Sequence, residues 1–498
     1  MAVAATQITL FERPEPRALS LALRAVARHI PLLAVIGLVI GIHVPTMHYY
    51  FFGDDFLVLG DIRSRSFPDY MRDVVYLRDM TPNWRPLTML VYWGEYRLFG
   101  LDAMSWRIVN LTLHIATVVV LYTFVLALTK RLFVALAAAM VFAVSASAVH
   151  TVTYITALPH VFSQFLLMSA LLSMHVYVSR GERRIGWYVL SLALFVAGFL
   201  ANEGGVVLGA AIVVYYALYS FAKRRDVLEF SLKMTPFVLS GVLLVGGLSG
   251  CGCQGVDGGF YGVGMHIPLE TFVYMSRLAY PVGDIDLRPS AMEWAWGSVV
   301  LGFAVFFVIR GPNVARIAAV GMVIAVMPYV PGKIWTATRY SYMATPFFAV
   351  LVAVAAGFVF HYATRLWRHG AYVLGALAIA AVGGLYSWQT IHQTQPFLKE
   401  TARWELLAHD LKEEYPSVPS GSTVYVIDEE GTWSNPFWQP TWMTSVGIAL
   451  YGPDVKVRAL PATHFEALKK ALPNQTEFYV VELDDGHLVR VADQTATR

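Results

Sequence analysis

Apolar residues in this chain come in long blocks, not in the short alternations of a soluble core. The blocks cover residues 30–48, 108–129, 132–149, 161–178, 186–201, 205–221, 232–250, 294–309, 314–330, 341–361 and 371–388. Each approaches the ~20 apolar residues that carry a helix across a hydrocarbon layer, where only a helix or a closed barrel satisfies its own backbone hydrogen bonds. The pattern predicts an all-α polytopic membrane domain with about 11 transmembrane helices. Past residue 389 the blocks stop. A helix is expected at 396–414, a strand at 422–428, where Ser422-Thr423-Val424-Tyr425-Val426-Ile427-Asp428 is β-branched and aromatic, a helix at 463–472, and a strand pair around 477–491. The predicted organisation is a cytoplasmic N-terminal segment (1–29), a membrane domain (30–389) with its first outer loop at 49–107, and a small soluble α/β domain (390–498).

Charge orients the spans. Lys and Arg gather at the N-terminus (Arg13, Arg17, Arg24, Arg28) and then in alternate loops: Lys130-Arg131, Arg180 with Arg183-Arg184, Lys223-Arg224-Arg225, Arg310 with Arg316, and Arg365 with Arg368. Loops rich in positive charge stay in the cytoplasm, so the N-terminus is expected inside and the C-terminal domain outside. One helix too many or too few would put half of these clusters on the wrong side. The first apolar block exceeds a signal peptide's apolar region and carries no clear small-residue cleavage site, so a retained helix is expected. The opposite loops, at 49–107, 150–160, the Asn202-Glu203 turn, 251–293 and 331–340, are where function is expected.

Composition agrees. The chain is 57% hydrophobic and 14% charged, with a mean hydropathy of +0.54, which excludes a soluble globular protein of this size. A net charge of +3, spread over short clusters, gives nucleic-acid binding no support. Cys251 and Cys253 are separated by one residue, too short for an unstrained disulfide, and make no zinc site.

Within the first outer loop, Phe51-Phe52-Gly53-Asp54-Asp55-Phe56 puts adjacent carboxylates at the membrane edge, where such acids are costly unless paired or employed. Arg85, in Asn83-Trp84-Arg85-Pro86-Leu87, suits a bidentate phosphate contact or a snorkelling anchor. Trp84, Trp93 and Trp106 read as aromatic-belt residues. Lys333 and Arg339, the latter in Trp335-Thr336-Ala337-Thr338-Arg339-Tyr340-Ser341-Tyr342, are cations in an outer loop that should be poor in them, which points to an anionic lipid headgroup or an acidic partner loop. Glu203 is an acid near membrane depth, with a functional role and a simple turn both open. His150 and His160 bracket one outer loop without metal-ligand spacing, and hydrogen bonding is the expected role. Trp433, Trp438 and Trp442, near Pro436 and Pro440, read as local packing or as stacking surfaces for sugar rings.

The order of these motifs resembles that of the GT-C type polytopic membrane glycosyltransferases: Asp54-Asp55, Arg85-Pro86-Leu87, Phe99-Gly100, Asn110 and His114, Phe142-Ala143-Val144 before His150, Asn202-Glu203-Gly204, and Arg339-Tyr340-Ser341-Tyr342. It is most like the O-mannosyltransferase branch with attached TPR repeats and its bacterial relatives, over about residues 30 to 360. The resemblance implies an inverting glycosyltransferase of a bacterial inner or plasma membrane, with a polyprenyl-phosphate sugar donor and an acceptor on a glycan, lipid or protein. It implies Asp54 as general base with Asp55 assisting, Arg85 and Arg339 as holders of the donor phosphate, and Glu203, His150, Lys333 and Tyr340 as accessory residues. A divalent metal is optional, since arginine can supply the countercharge. Asn202 stands where relatives often carry Lys, the His-Pro pair frequent ahead of the His150 position is missing, and no TPR array follows. A lipid-linked sugar flippase or a non-catalytic glycan-assembly subunit is the alternative. Against the flippase stand the lack of an inverted repeat and of broken midplane helices.

Overall fold

The computed structural model describes residues 29–76, 85–222, 226–250, 264–279, 291–331, 338–428, 439–461, 477–482 and 487–490. Cys251, Cys253, Lys333, Trp84, Trp433, Trp438, the helix expected at 463–472 and most of the 251–293 loop lie outside the described residues.

Each apolar block of the sequence falls largely on helix. The chain enters through α1 (Ile30–His43), prolonged by a 3-10 turn to His48, and then lays three short helices at the end of the bundle: α2 (Asp54–Ser64), α3 (Phe67–Tyr76) and α4 (Pro86–Phe99). The bundle continues with α5 (Ala103–Thr129), α6 (Leu132–Ala143), α7 (Ala146–Thr153), α8 (Leu158–Ser179), α9 (Ile185–Ala201), α10 (Leu208–Tyr216), α11 (Val227–Gly250), α12 (His266–Ala279), α13 (Ala291–Arg310), α14 (Asn313–Val326) and α15 (Thr345–Leu366). Then α16 (Arg368–Glu414) leads into β1 (Thr423–Asp428), α17 (Gln439–Tyr451), β2 (Lys456–Pro461), β3 (Glu477–Glu482) and β4 (Leu488–Arg490). Among the described residues, 6 helices are long and apolar enough to cross a membrane, or 7 if α6 and α7 form one bent span, and α9, α14 and Val373–Leu385 are apolar but shorter. The protein is an integral membrane protein with a small α/β part. That part is a 4-stranded sheet in the order β2-β1-β3-β4, with β1 parallel to β2 and β3, and β4 antiparallel to β3.

Three details depart from the sequence reading. The block 132–149 is not one straight span: α6 and α7 meet at 52°. At the break Ser145 Oγ donates to Phe142 O (3.0 Å), and Ser147 Oγ pairs with Thr345 Oγ1 (2.7 Å), tying α7 to α15. The bend turns what reads as an outer loop into buried helix, His150 included.

The span expected at 371–388 and the helix expected at 396–414 are a single 47-residue helix, ~70 Å long by helical rise. Residues 389–395 hold no Gly, no Pro and no turn cluster, and the helix runs on through Pro396 without ending there.

Trp106 is not at the lipid interface. Its ring is 1% exposed, edge-on to Phe51 (5.9 Å) and stacked with Tyr92 (6.1 Å), because α2 to α4 fold over the start of α5 and shut it away from lipid.

The buried apolar residues form two bodies. One is the helix bundle, centred on residues such as Val118, Leu121, Ala138 and Met174. The other joins the segment after α1 to the C-terminal sheet: Phe51, Phe56 and Leu59 pack in the same core as Trp404, Val426 and Val446. Gly60 marks the seam, since a Cβ there would sit 3.1 Å from the Ser445 side chain.

Candidate active site

The Asp54-Asp55 pair sits on a turn that only glycine makes without strain. Gly53 has φ +54° and ψ −120°, the first central position of a type II′ turn, and the Asp55 N–H closes it on Phe52 O at 3.1 Å. Helix α2 begins at Asp54, so both carboxylates stand at a helix N-terminus, where anionic charge is favoured.

The two acids part company there. Asp55 is buried at 1% exposure, and each of its oxygens accepts a backbone N–H: Oδ2 from Phe52 (3.2 Å) and Oδ1 from Thr156 (3.0 Å). Burial pushes its carboxyl up to about 7, against the opposing pull of Arg107 and of these two donors. It clamps the turn to the chain that follows α7. Asp54 is half-buried. Its N–H donates to the Tyr154 hydroxyl (3.2 Å), and its Oδ1 accepts the indole N–H of Trp442 (3.0 Å). Among the described residues nothing donates to Asp54 Oδ2.

Arg107 fixes the approach to this turn. It is fully buried in α5 and donates to Thr153 O (2.9 Å), Tyr50 O (2.7 Å) and Tyr49 O, stapling the segment ahead of Asp54 to the end of α7. Asn110 adds a bond to Tyr154 O (3.2 Å). His114, one turn deeper, ties α5 to the 3-10 turn Thr338–Met343 through Tyr342 (2.9 Å).

Arg339, on that turn, lies over two aromatic faces, Tyr154 at 5.1 Å and Tyr340 at 5.2 Å. Burial works against its cation, but Tyr340, Tyr154 and Asp54 more than offset that, and its pKa moves up. It forms no salt bridge among the described residues. Arg85 differs: its Nε and Nη2 each donate to a Glu203 oxygen at 2.8 Å, a two-pronged pair that raises the arginine's pKa over the opposing effect of burial.

An aromatic wall links the two arginines. Tyr340 stacks on Tyr329 at 4.8 Å and 10°. His160 Nδ1 accepts from the Tyr329 hydroxyl (3.2 Å) and from Asn202 Nδ2 (3.1 Å), its ring 5.6 Å from Tyr340 and within the field of both Arg85 and Arg339.

Of the residues singled out from sequence, Asp54, Asp55, Arg339 and Tyr340 come together around Tyr154, while Arg85 and Glu203 pair with each other at the far end of the aromatic wall. His150 lies buried in α7, its carbonyl accepting the Tyr154 N–H (3.1 Å). Sequence reasoning did not find Arg107, Tyr154, Tyr329 or the contact made by Trp442. Only Arg107 carried a signal, as a charge set directly against the start of the 108–129 apolar block. A His/acid group with metal-ligand spacing occurs at His409, Asp410 and Glu413 on α16, where Asp410 already accepts the Leu488 N–H at 2.8 Å.

No family model and no curated protein matches the chain. Solved structures do. ArnT from Cupriavidus metallidurans bound to undecaprenyl phosphate aligns with a TM-score of 0.52 and 13% identity, over 93% of this chain and 93% of that one. The oligosaccharyltransferase AglB from Archaeoglobus fulgidus, in complex with an inhibitory peptide and a dolichol-phosphate, aligns with a TM-score of 0.51 and 11% identity, over 92% of this chain and 70% of that one. Against the Archaeoglobus fulgidus oligosaccharyltransferase tethered with an acceptor peptide, the TM-score is 0.48 at 12% identity over 87% of this chain, which spans 63% of that protein's length. The chain shares its fold, the GT-C fold, with the ArnT and AglB structures.

Proposed function

We propose that this protein is an inverting glycosyltransferase that moves a sugar from a polyprenyl-phosphate donor to an acceptor hydroxyl on the extracytoplasmic side of the membrane. A sugar bonded to phosphate through its anomeric carbon is already activated, so the enzyme has to take a proton from the acceptor, align it and stabilise the departing phosphate. In one displacement the acceptor O–H proton passes to Asp54. The acceptor oxygen bonds to the anomeric carbon from the face opposite the phosphate, and the carbon–oxygen bond to phosphate breaks with its electron pair leaving on polyprenyl phosphate.

The observation that carries this reading is that one tyrosine brings a half-exposed aspartate and a cation without a salt bridge together: the Asp54 backbone N–H donates to the Tyr154 hydroxyl, Arg339 lies over the Tyr154 ring, and the Asp54 charge acts on Arg339. Asp54 is the base, Asp55 holds the turn that aims it, and Arg339, with Tyr340 beside it, receives the donor phosphate. Arg85 contributes a second cation whose charge Glu203 largely balances. The kinds of lipid named with the ArnT and AglB structures, undecaprenyl phosphate and dolichol-phosphate, support this donor class. The motif order supports kinship with the O-mannosyltransferase branch, and the alternating Lys and Arg loops support a cytoplasmic N-terminus.

The test is to incubate purified protein with a panel of polyprenyl-phosphate sugars, with and without chelator, and follow donor consumption. Consumption of one donor that Asp54→Ala abolishes is expected. Donor translocation in vesicles, unchanged by that substitution and without consumption, would put a flippase in its place.

A further inference from the structure

We infer that Trp442 of the C-terminal domain is a positioning residue for the reaction: its indole N–H holds one oxygen of Asp54 and leaves the other to take the acceptor's proton. The inference rests on Asp54 being the base, and it makes the α/β domain part of the catalytic centre instead of an appendage.

Three observations converge. Trp442 Nε1 donates to Asp54 Oδ1 at 3.0 Å across 388 residues of sequence, while Oδ2 receives no donor among the described residues. The turn carrying Asp54 is built against that indole, since a Cβ on Gly53 would sit 3.9 Å from Trp442 Cζ2 and 3.5 Å from the Tyr154 hydroxyl.

The helix that presents Trp442 is also held firmly. Residues Met443 and Val446 of α17 share a core with Phe56 and Leu59 of α2, Arg63 donates to Ala449 O, and Trp404 of the long helix packs between Phe56 (5.3 Å) and Trp442 (6.3 Å). An indole fixed in this way limits the carboxylate's rotation about its side-chain bonds, which is what a base must surrender to meet a hydroxyl in one geometry.

The charged and titratable groups around Asp54 are Asp55 on its own helix, Tyr154 after α7 and Arg339 on the 3-10 turn, with Arg107 of α5 acting on Asp55. Trp442 contributes no charge, so substituting it leaves the charged groups around Asp54 as they are.

The experiment uses the full-length protein in detergent. Trp442→Phe keeps an aromatic ring, smaller than the indole, and removes the N–H. With whichever polyprenyl-phosphate sugar of the panel is consumed, kcat is expected to fall roughly tenfold with donor KM within about twofold. A second measurement needs no substrate: Trp442→Phe should lower Tm in the Asp54 protein and clearly less in the Asp54→Ala background. Equal Tm losses in both backgrounds, or an unchanged kcat, overturn the inference. Donor consumption that survives Asp54→Ala overturns the assignment of the base, whatever the Tm cycle shows.

Discussion

The two cationic ends of the site look alike in sequence and differ in structure. Arg85 and Arg339 each precede a helix, each stands near aromatic residues, and both read as phosphate holders. Arg85 is in a bidentate pair with Glu203, at 16% and 28% side-chain exposure, whereas Arg339 rests on tyrosine faces beside the half-exposed Asp54. A cation already balanced by a carboxylate has little left for a ligand, while one held by ring faces keeps its full charge for an incoming phosphate. The difference teaches that the guanidinium's partner decides its job, more than its place in a motif.

The sharpest way to break this contrast starts from the acids. Asp54→Asn should cost roughly 10²- to 10⁴-fold in kcat with little change in Tm, whereas Asp55→Asn should lower Tm, because an amide cannot accept from both the Phe52 and Thr156 N–H groups. Equal kinetic losses with unchanged Tm in both would erase the division of labour between them.

Next in size, Arg339→Ala should raise donor KM and lower kcat by a combined factor of roughly 10² to 10³, and Arg85→Ala by far less. Steady-state kinetics on the two variants would reverse the comparison if Arg85 proved the larger.

Stability should rank them the other way. Arg85→Ala and Glu203→Gln should each cost roughly 1–2 kcal/mol, and the double variant little more than either alone, as a double-mutant cycle in denaturation would read.

The smallest effect concerns α4, which starts beside Arg85. Glu95 is 5% exposed, neither of its oxygens has a hydrogen-bond partner among the described residues, and burial lifts its carboxyl to about 8. A carboxyl whose native pKa lies above its unfolded value binds its proton more tightly when folded, so its stabilising share is complete below about 4.5 and lost as pH rises to about 8. Glu95→Gln should therefore raise Tm relative to the parent at pH 8.5 and leave the difference near zero at pH 4.5. A pH-independent difference would mean that Glu95 has a partner or reaches water.

How much was legible follows from the range of each interaction. The helical blocks were visible because crossing lipid demands a long apolar run whatever the neighbours do, and β1 was visible from its own residue types. Asp54, Asp55 and Arg339 were visible because charge at a membrane edge is expensive enough to stand out. Trp442 was not: near Pro436 and Pro440 it reads as packing, and its bond to Asp54 depends on how α17 docks on α2. Trp106 misled for a related reason, since an interfacial tryptophan and one roofed by short helices have the same local sequence.

The sequence by itself determined the solvent of this protein, the order of its helices and the residue types available for chemistry, because hydrophobic length and local propensity are properties of contiguous segments. Only the tertiary structure decided which acid is buried and which is offered, which arginine is already paired, and that the C-terminal α/β part reaches back to the segment after the first helix. Those outcomes come from contacts between segments about a hundred or more residues apart, and their energies depend on distance and burial, which no stretch of chain encodes alone.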